Sequence, residues 1–184
     1  MRRFGPIFQQ GYGCLEALPP ITWLLPHEHV DAAGEPVALD ILASAGRVVD
    51  GVDAVRLAVR EEIQKGAAQI KIMASGGVAS PTDPIANTQY SEDEIRAIVA
   101  EAEAANTYVM AHAYTGRAIS RAVRCGVRTI EHGNLVDAGA AELMHDHGAF
   151  AVPTLVTYDA LARHGASYGL PPDSVAKIET VREA

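Results

Sequence analysis

Residues 107–133 read TYVMAHAYTGRAISRAVRCGVRTIEHG, and this stretch decides the fold. Its apolar run at 107–111 predicts a short strand, and Gly116–Cys125 predicts a helix that ends at Gly126. A second short run at 128–131 predicts another strand. A strand, a helix and a strand in this order are typical of parallel strands that are joined by a crossover helix.

The same alternation continues on both sides of this stretch. Upstream, Ser91 and Glu94 form a capping-box signature that predicts the start of a helix. Short apolar strands suit burial on both faces, so the pattern predicts an α/β fold with a parallel sheet, either open or closed into a barrel. The further predicted elements are helix 52–65, strand 69–73, a helix from 91 to about 105, helix 137–147, strand 149–152 and helix 172–183.

The length of the chain limits how much of a barrel it can form. Its four strand–helix units are half of the eight that a (β/α)₈ barrel needs. A full barrel also runs to about 250 residues, whereas this chain has 184. The sequence therefore predicts a partial barrel, with open sheet edges and an uncovered interior that favour either self-association as a homo-oligomer or poor stability.

Residues 1–45 lack the regular strand and helix patterns of the rest of the chain. No long element is predicted there, because prolines interrupt every apolar run. These prolines are Pro6, Pro19, Pro20, Pro26 and Pro36. We therefore divide the chain into an irregular N-terminal segment, 1–45, and an α/β barrel segment, 46–184.

Composition excludes several classes of partner. With 15 Lys and Arg against 23 Asp and Glu, the formal charge of −8 argues against nucleic acid or an anionic membrane and favours a small molecule. The sequence shows no signal peptide and no apolar run that could span a bilayer. Cys14 and Cys125 lie far apart and form no disulfide-like pattern, so a reduced, cytoplasmic setting is expected.

Lys71 is the first candidate functional residue. It lies between Ile70 and Ile72 in the predicted strand, where alternation places the isoleucines in one layer and the lysine on the other face. Burial of an unpaired ammonium is costly and lowers its pKa. The alternative is a lysine whose ammonium extends past the strand end into water.

Two histidines occupy matching positions on the following strands. His112 and His132 come at the predicted carboxyl ends of consecutive strands, and ligands of parallel α/β sheets bind at that edge. A pair of neutral imidazoles suits zinc. Tyr114 follows His112 closely, and it either binds the substrate or packs in the loop. Alternation places Glu131 on the strand face opposite His132, so we interpret it as structural.

Three blocks of sequence together resemble the metal-dependent amidohydrolase superfamily. They read IKIMASGGVASPTDP at 70–84, VMAHAYTGRAI at 109–119 and GVRTIEHGN at 126–134. Within that superfamily the segment 46–184 is similar to the imidazolonepropionase-like and prolidase-like members, which cleave Xaa-Pro, Xaa-Arg or other dipeptides and N-acyl amino acids. The blocks are specific for the superfamily and only suggestive for the substrate.

This resemblance implies a fold, a metal centre and roles for three residues. The fold is a (β/α)₈ TIM barrel, of which this chain would supply about strands four to seven. Two divalent metal ions, usually zinc, would lie at its carboxyl-terminal rim. Lys71 would be the N-carboxylated lysine of strand four that bridges both metals, while His112 and His132 would be the ligands of strands five and six.

Two parts of the family pattern do not match. The strand-eight aspartate would fall beyond Ala184, so no catalytic base is assigned. His27 and His29 form an HxH like that of strand one, but only 41 residues lie between His29 and Lys71. Three strand–helix units of about 25–30 residues each need more than that. The two histidines are therefore either the first metal pair or a loop motif outside the resemblance.

The sequence thus predicts a metal-dependent hydrolase that acts on the C–N amide bond of a small dipeptide or N-acyl amino acid through a metal-activated water. One alternative is a truncated, non-catalytic fragment or pseudoenzyme. Another is a Schiff-base lyase in which the desolvated amine of Lys71 attacks a carbonyl.

Overall fold

The computed structural model describes residues 10–12, 22–24, 49–78, 83–168 and 170–182. In the first two of these ranges, β1 (Gln10–Tyr12) pairs antiparallel with β2 (Thr22–Leu24). This pair lies inside the segment for which no element was predicted, because three-residue strands are too short for an alternation to be read. His27 and His29 lie outside the described residues.

A four-stranded parallel sheet forms the centre of the described structure, in the order β3-β4-β5-β6. Its strands are β3 (Ile70–Met73), β4 (Val109–Thr115), β5 (Thr129–Leu135) and β6 (Phe150–Val152). The helices are α1 (Val52–Gln64), α2 (Glu92–Ala104), α3 (Gly116–Arg124), α4 (Ala138–Asp146), α5 (Leu155–His164) and α6 (Pro172–Arg182), with a short 3₁₀ helix at Gly165–Tyr168. The predicted α/β fold, as part of a barrel, is confirmed.

One face of the sheet is buried under α1 to α4. Ile70 and Ile72 of β3 are fully buried in this core, and Ile130 of β5 is nearly so. The helices contribute the apolar stripes that the 3.6-residue period predicts, such as Val55 and Val59 of α1. Because the strands alternate, the residues between the buried ones point to the opposite face of the sheet.

The start of α2 confirms the predicted capping box. Ser91 Oγ accepts a hydrogen bond from the Glu94 amide, and the Ser91 amide donates to Glu94 Oε2 at 2.7 Å. Glu94 Oε1 also accepts from the Gly51 amide at 2.7 Å, which ties the start of α1 to that of α2. Burial favours a raised pKa for Glu94, but the hydrogen bonds outweigh it and the pKa is lowered.

Two features of the second half of the chain differ from the prediction. β4 and β5 each continue four residues beyond their predicted ends, to Thr115 and Leu135. α5 was not predicted at all. With α6 it forms a second core, which lies against Tyr114 near the end of β4. In the ranges described, no helix combines the length and the apolar character that crossing a membrane requires.

Candidate active site

Lys71 points away from the core that its two isoleucine neighbours fill. Ile70 and Ile72 have no exposed surface, while Lys71 is half-buried on the opposite face of β3. Burial lowers the pKa of its ammonium, and the carboxylate of Glu131 offsets part of that shift. The amine of Lys71 therefore loses its proton more readily than the amine of a lysine in water.

His112 lies on the same face, one strand away. It pairs in register with Met73 of β3 and with Glu131 of β5, and it is 5% exposed. Its Nε2 atom lies 3.1 Å from the carbonyl oxygen of Gly76. Because a carbonyl can only accept, this contact requires the proton on Nε2. The lone pair of Nδ1 is then free for a ligand.

Gly76, whose carbonyl contacts His112, packs against Pro84 with no room for a side chain. A Cβ at residue 76 would lie 2.1 Å from the carbonyl oxygen of Pro84, which is closer than any real contact. The Gly76 carbonyl also accepts from Ser75 Oγ at 3.1 Å, and that hydroxyl accepts from the Tyr114 amide at 3.2 Å. The loop after β3 is thus fixed to β4 through polar contacts beside the histidine.

His132 reaches the site through an unusual backbone conformation. Strict alternation along β5 places Glu131 and His132 on opposite faces, but His132 has φ 77° and Gly133 has φ 63°. The register with β4 shifts at this point, as in a β-bulge. The imidazole of His132 is therefore turned toward that of His112, with 4.8 Å between ring centroids. A left-handed non-glycine residue costs about 1–3 kcal/mol and is typical of functional sites.

Glu131 lies on the same face as Lys71 and His112, so its expected placement away from the site is wrong. It pairs in register with His112, and its charge acts on Lys71. Thr129 Oγ1 donates to Glu131 Oε1 at 2.7 Å and orients the carboxylate. Sequence alternation missed this residue because the left-handed turn moves His132, and not Glu131, to an unexpected face.

Both imidazoles are neutral at neutral pH. Burial lowers the pKa of His112 to about 4, with a further decrease from the charge of Lys71. Burial also lowers the pKa of His132 to about 3, and His112 and Lys71 add to the effect. Each ring therefore offers a lone pair instead of a second N–H, which is the form that binds metals.

Two tyrosines close the site on the side of α5. Tyr114 stacks on His132 with 5.5 Å between centroids, and its hydroxyl lies 2.8 Å from that of Tyr158. Burial raises the pKa of both phenols, so they remain hydrogen-bond donors. Tyr158 was missed along with α5, although the spacing of Leu155, Tyr158 and Leu161 is helical.

The donors gathered here fit a divalent metal in part. Two neutral imidazoles are suitable ligands, and a carboxylated Lys71 would supply anionic oxygens. Within the described ranges, no three His, Cys, Asp or Glu side chains are grouped closely enough to hold an ion. A three-ligand set from these residues therefore depends on Lys71.

The site combines two neutral imidazoles with a desolvated lysine, near the carboxyl ends of the strands of a parallel sheet. Such a site in an α/β protein is suited to metal-assisted chemistry. The chain belongs to the Amidohydrolase family, whose model matches residues 5–184. This confirms the resemblance found in the sequence. The matched range also includes residues 5–45, a segment in which the sequence showed no resemblance to the family.

Three relatives show where the similarity lies. A solved prolidase in complex with N-methylphosphonate-L-proline is 84% identical, with a TM-score of 0.74 over 76% of this chain and 34% of that one. Ochratoxinase from Aspergillus niger is 38% identical over 138 residues, which are 74% of this chain and 28% of that protein. A solved Xaa-Pro dipeptidase with bound methionine is 32% identical, with a TM-score of 0.64 over 74% of this chain and 34% of that one. The chain thus spans about a third of the length of these relatives.

Proposed function

We propose that this chain forms part of a metal-dependent hydrolase that cleaves the amide bond of a small dipeptide, with Xaa-Pro as the first substrate class to test. The observation that carries the proposal is the neutral pair of His112 and His132, with ring centroids 4.8 Å apart, beside the desolvated Lys71. The family supports the class of reaction. Two relatives whose names refer to proline dipeptides support the substrate.

In this proposal each residue has a defined task. The unprotonated amine of Lys71 would attack carbon dioxide, which forms an N–C bond and releases one proton to solvent. The two oxygens of the resulting carbamate would share one negative charge and could serve as metal ligands. His112 would bind through Nδ1, since Gly76 occupies Nε2. Two divalent ions, with zinc as the first choice, would supply an acidified water and polarise the amide carbonyl.

Tyr114 would act on the substrate. Tyr114 is buried beside both imidazoles, and its phenol stays protonated because burial raises its pKa. A protonated phenol can donate a hydrogen bond to the substrate carboxylate or to the oxyanion that develops on the carbonyl oxygen. Tyr114→Phe keeps the ring and removes the hydroxyl, including its contact with the hydroxyl of Tyr158, and it should lower kcat more than it weakens metal binding because Thr154 still contacts His132.

The test combines metal content with turnover. The chain is purified with zinc and assayed on Xaa-Pro and Xaa-Arg dipeptides and on N-acyl amino acids. Lys71→Ala should abolish hydrolysis, whereas Lys65→Ala should not, because Lys65 lies at the end of α1 in a surface ion pair with Glu62. Equal rates for wild type and Lys71→Ala would refute catalysis by this site. Fewer than one metal per chain in wild type would favour a non-catalytic protein.

A Schiff-base lyase is the second candidate, because the same lowered pKa makes Lys71 a nucleophile. Borohydride with a keto substrate would trap a covalent adduct on Lys71 if this mechanism operates. Bound metal that is lost on His112→Ala would instead favour the hydrolase.

Self-association and the cytoplasmic setting stay predictions, to be checked by ultracentrifugation and by fractionation of cells.

A further inference from the structure

Thr154, which lies next to His132, does not play the ordinary role of an N-cap threonine. Threonine is a preferred N-cap, and Thr154 precedes the first residue of α5, yet its side chain makes no capping hydrogen bond. Its Oγ1 atom lies instead 2.6 Å from Nδ1 of His132. The hydroxyl has therefore been diverted from the helix to the imidazole.

The backbone of Thr154 is as unusual as its side chain. Its φ of 40° and ψ of 36° are left-handed, which is a clear outlier for a β-branched residue. His132 has φ 77°. Two non-glycine residues, one within β5 and one just after the neighbouring β6, are thus both left-handed, and their side chains are hydrogen-bonded to each other. Such strain persists only where the surrounding contacts hold it in place.

Those contacts come from Tyr158, one turn further along α5. Its side chain hydrogen-bonds to Thr154 and to the hydroxyl of Tyr114, the latter at 2.8 Å. Its ring also lies edge-on to His132, with 5.6 Å between centroids. Tyr158 is 3% exposed and Tyr114 2%, so the contact between their hydroxyls is shielded from water. α5 therefore fixes the imidazole of His132 on one edge.

We propose that Thr154 and Tyr158 are positioning residues: Oγ1 of Thr154 accepts the proton of Nδ1 of His132 and donates its own proton to the hydroxyl of Tyr158, which leaves the lone pair on Nε2 as the ligand atom. A ring held by one nitrogen presents the other in a fixed direction, as partners of metal-binding histidines do. This inference rests on the proposed function, in which His132 binds a metal. The inference adds to that function the ligand atom of His132 and two residues, Thr154 and Tyr158, that lie outside the three sequence blocks on which the resemblance depends.

The first measurement needs no metal. Long-range ¹H–¹⁵N spectra of the metal-free protein report which nitrogen of His132 carries the proton. Wild type should show a single tautomer, and Thr154→Val, which keeps the shape of the residue and removes its hydroxyl, should show a mixture. Thr154→Ser keeps the hydroxyl and should retain the wild-type spectrum. Thr157→Val is the matched control, because Thr157 is exposed on the same helix.

The second measurement is zinc affinity by competition with a chromophoric chelator. Thr154→Val should weaken binding by roughly 10- to 100-fold, the usual effect of losing such a partner, while Thr154→Ser and Thr157→Val should stay within about threefold. Tyr158→Phe should weaken binding in the same direction as Thr154→Val. Circular dichroism verifies that each variant is folded.

The outcomes separate this inference from the proposed function. An unchanged tautomer and unchanged zinc affinity in Thr154→Val would overturn the inference, even if the protein hydrolyses dipeptides. A fixed tautomer in a wild-type chain that binds no zinc would support the positioning role and count against the proposed function. If Thr154→Val does not fold, Tyr158→Phe decides, and wild-type values for both measurements would overturn the inference.

Discussion

Acid should destabilise the metal-free protein through His112 and His132, and the size of the effect follows from their surroundings. In the unfolded chain each imidazole takes up a proton near pH 6.5, whereas burial lowers the folded pKa to about 4 for His112 and about 3 for His132. The unfolded state therefore binds protons first as the pH falls. The stability contributed by these residues is fully present above pH 6.5 and is lost as the pH falls toward the folded values.

At about pH 5 the difference in proton binding costs about 2 kcal/mol for each histidine, or about 4 kcal/mol for the pair. The assay is urea unfolding with chelator present, followed by circular dichroism at about pH 7.5 and about pH 5. The matched variant is H112Q/H132Q, which has no titrating group at these positions. Other groups titrate alike in both proteins, so wild type should lose about 4 kcal/mol more than the variant. Equal losses in the two proteins would refute the reasoning.

Three further predictions concern the scaffold. Glu94→Ala removes the carboxylate that caps α2 and binds the Gly51 amide, so urea unfolding should show a loss of about 1–3 kcal/mol, and an unchanged midpoint would contradict this role. Gly76→Ala forces a Cβ to within 2.1 Å of the carbonyl oxygen of Pro84 and should lower the melting temperature sharply. Gly77→Ala is the control and should melt near wild type, because a Cβ there meets nothing within 4 Å. Similar melting temperatures for the two variants would count against a tightly packed loop. Ile119→Ala should cost about 2–5 kcal/mol because the side chain is fully buried, and a loss below about 1 kcal/mol would show that this core is loosely packed.

The order of elements could be predicted because apolar periodicity and caps are local signals. The capping box at Ser91 and the glycine after α3 each marked a boundary that the structure confirms within a residue or so. The ends of β4 and β5 were placed too early, because His112, Tyr114 and the residues after Glu131 interrupt the apolar run. A strand that lines a polar site loses the pattern by which strands are recognised.

The membership of the site was harder to predict than its location. Lys71 and His112 follow from alternation and from the rule that ligands bind at the carboxyl ends of strands. Glu131 was assigned to the wrong face, since no sequence pattern reports a left-handed histidine. Thr154 and Tyr158 enter the site from the start of a helix that was not predicted, because its apolar residues are spread around the helix and two of them, Leu155 and Val156, are exposed.

The left-handed backbone at residue 132 also makes the site open to chemical complementation. Glycine adopts a φ of 77° without strain, so His132→Gly would remove the ring and relieve the backbone at the same time. Free imidazole added to that variant could then enter between Tyr114 and Tyr158, where the natural ring lies. Recovery of zinc affinity on titration with imidazole would measure this, and no recovery would contradict it. If His132 binds zinc as proposed, substituted imidazoles would then allow the basicity and the shape of this ligand to be varied without further mutation.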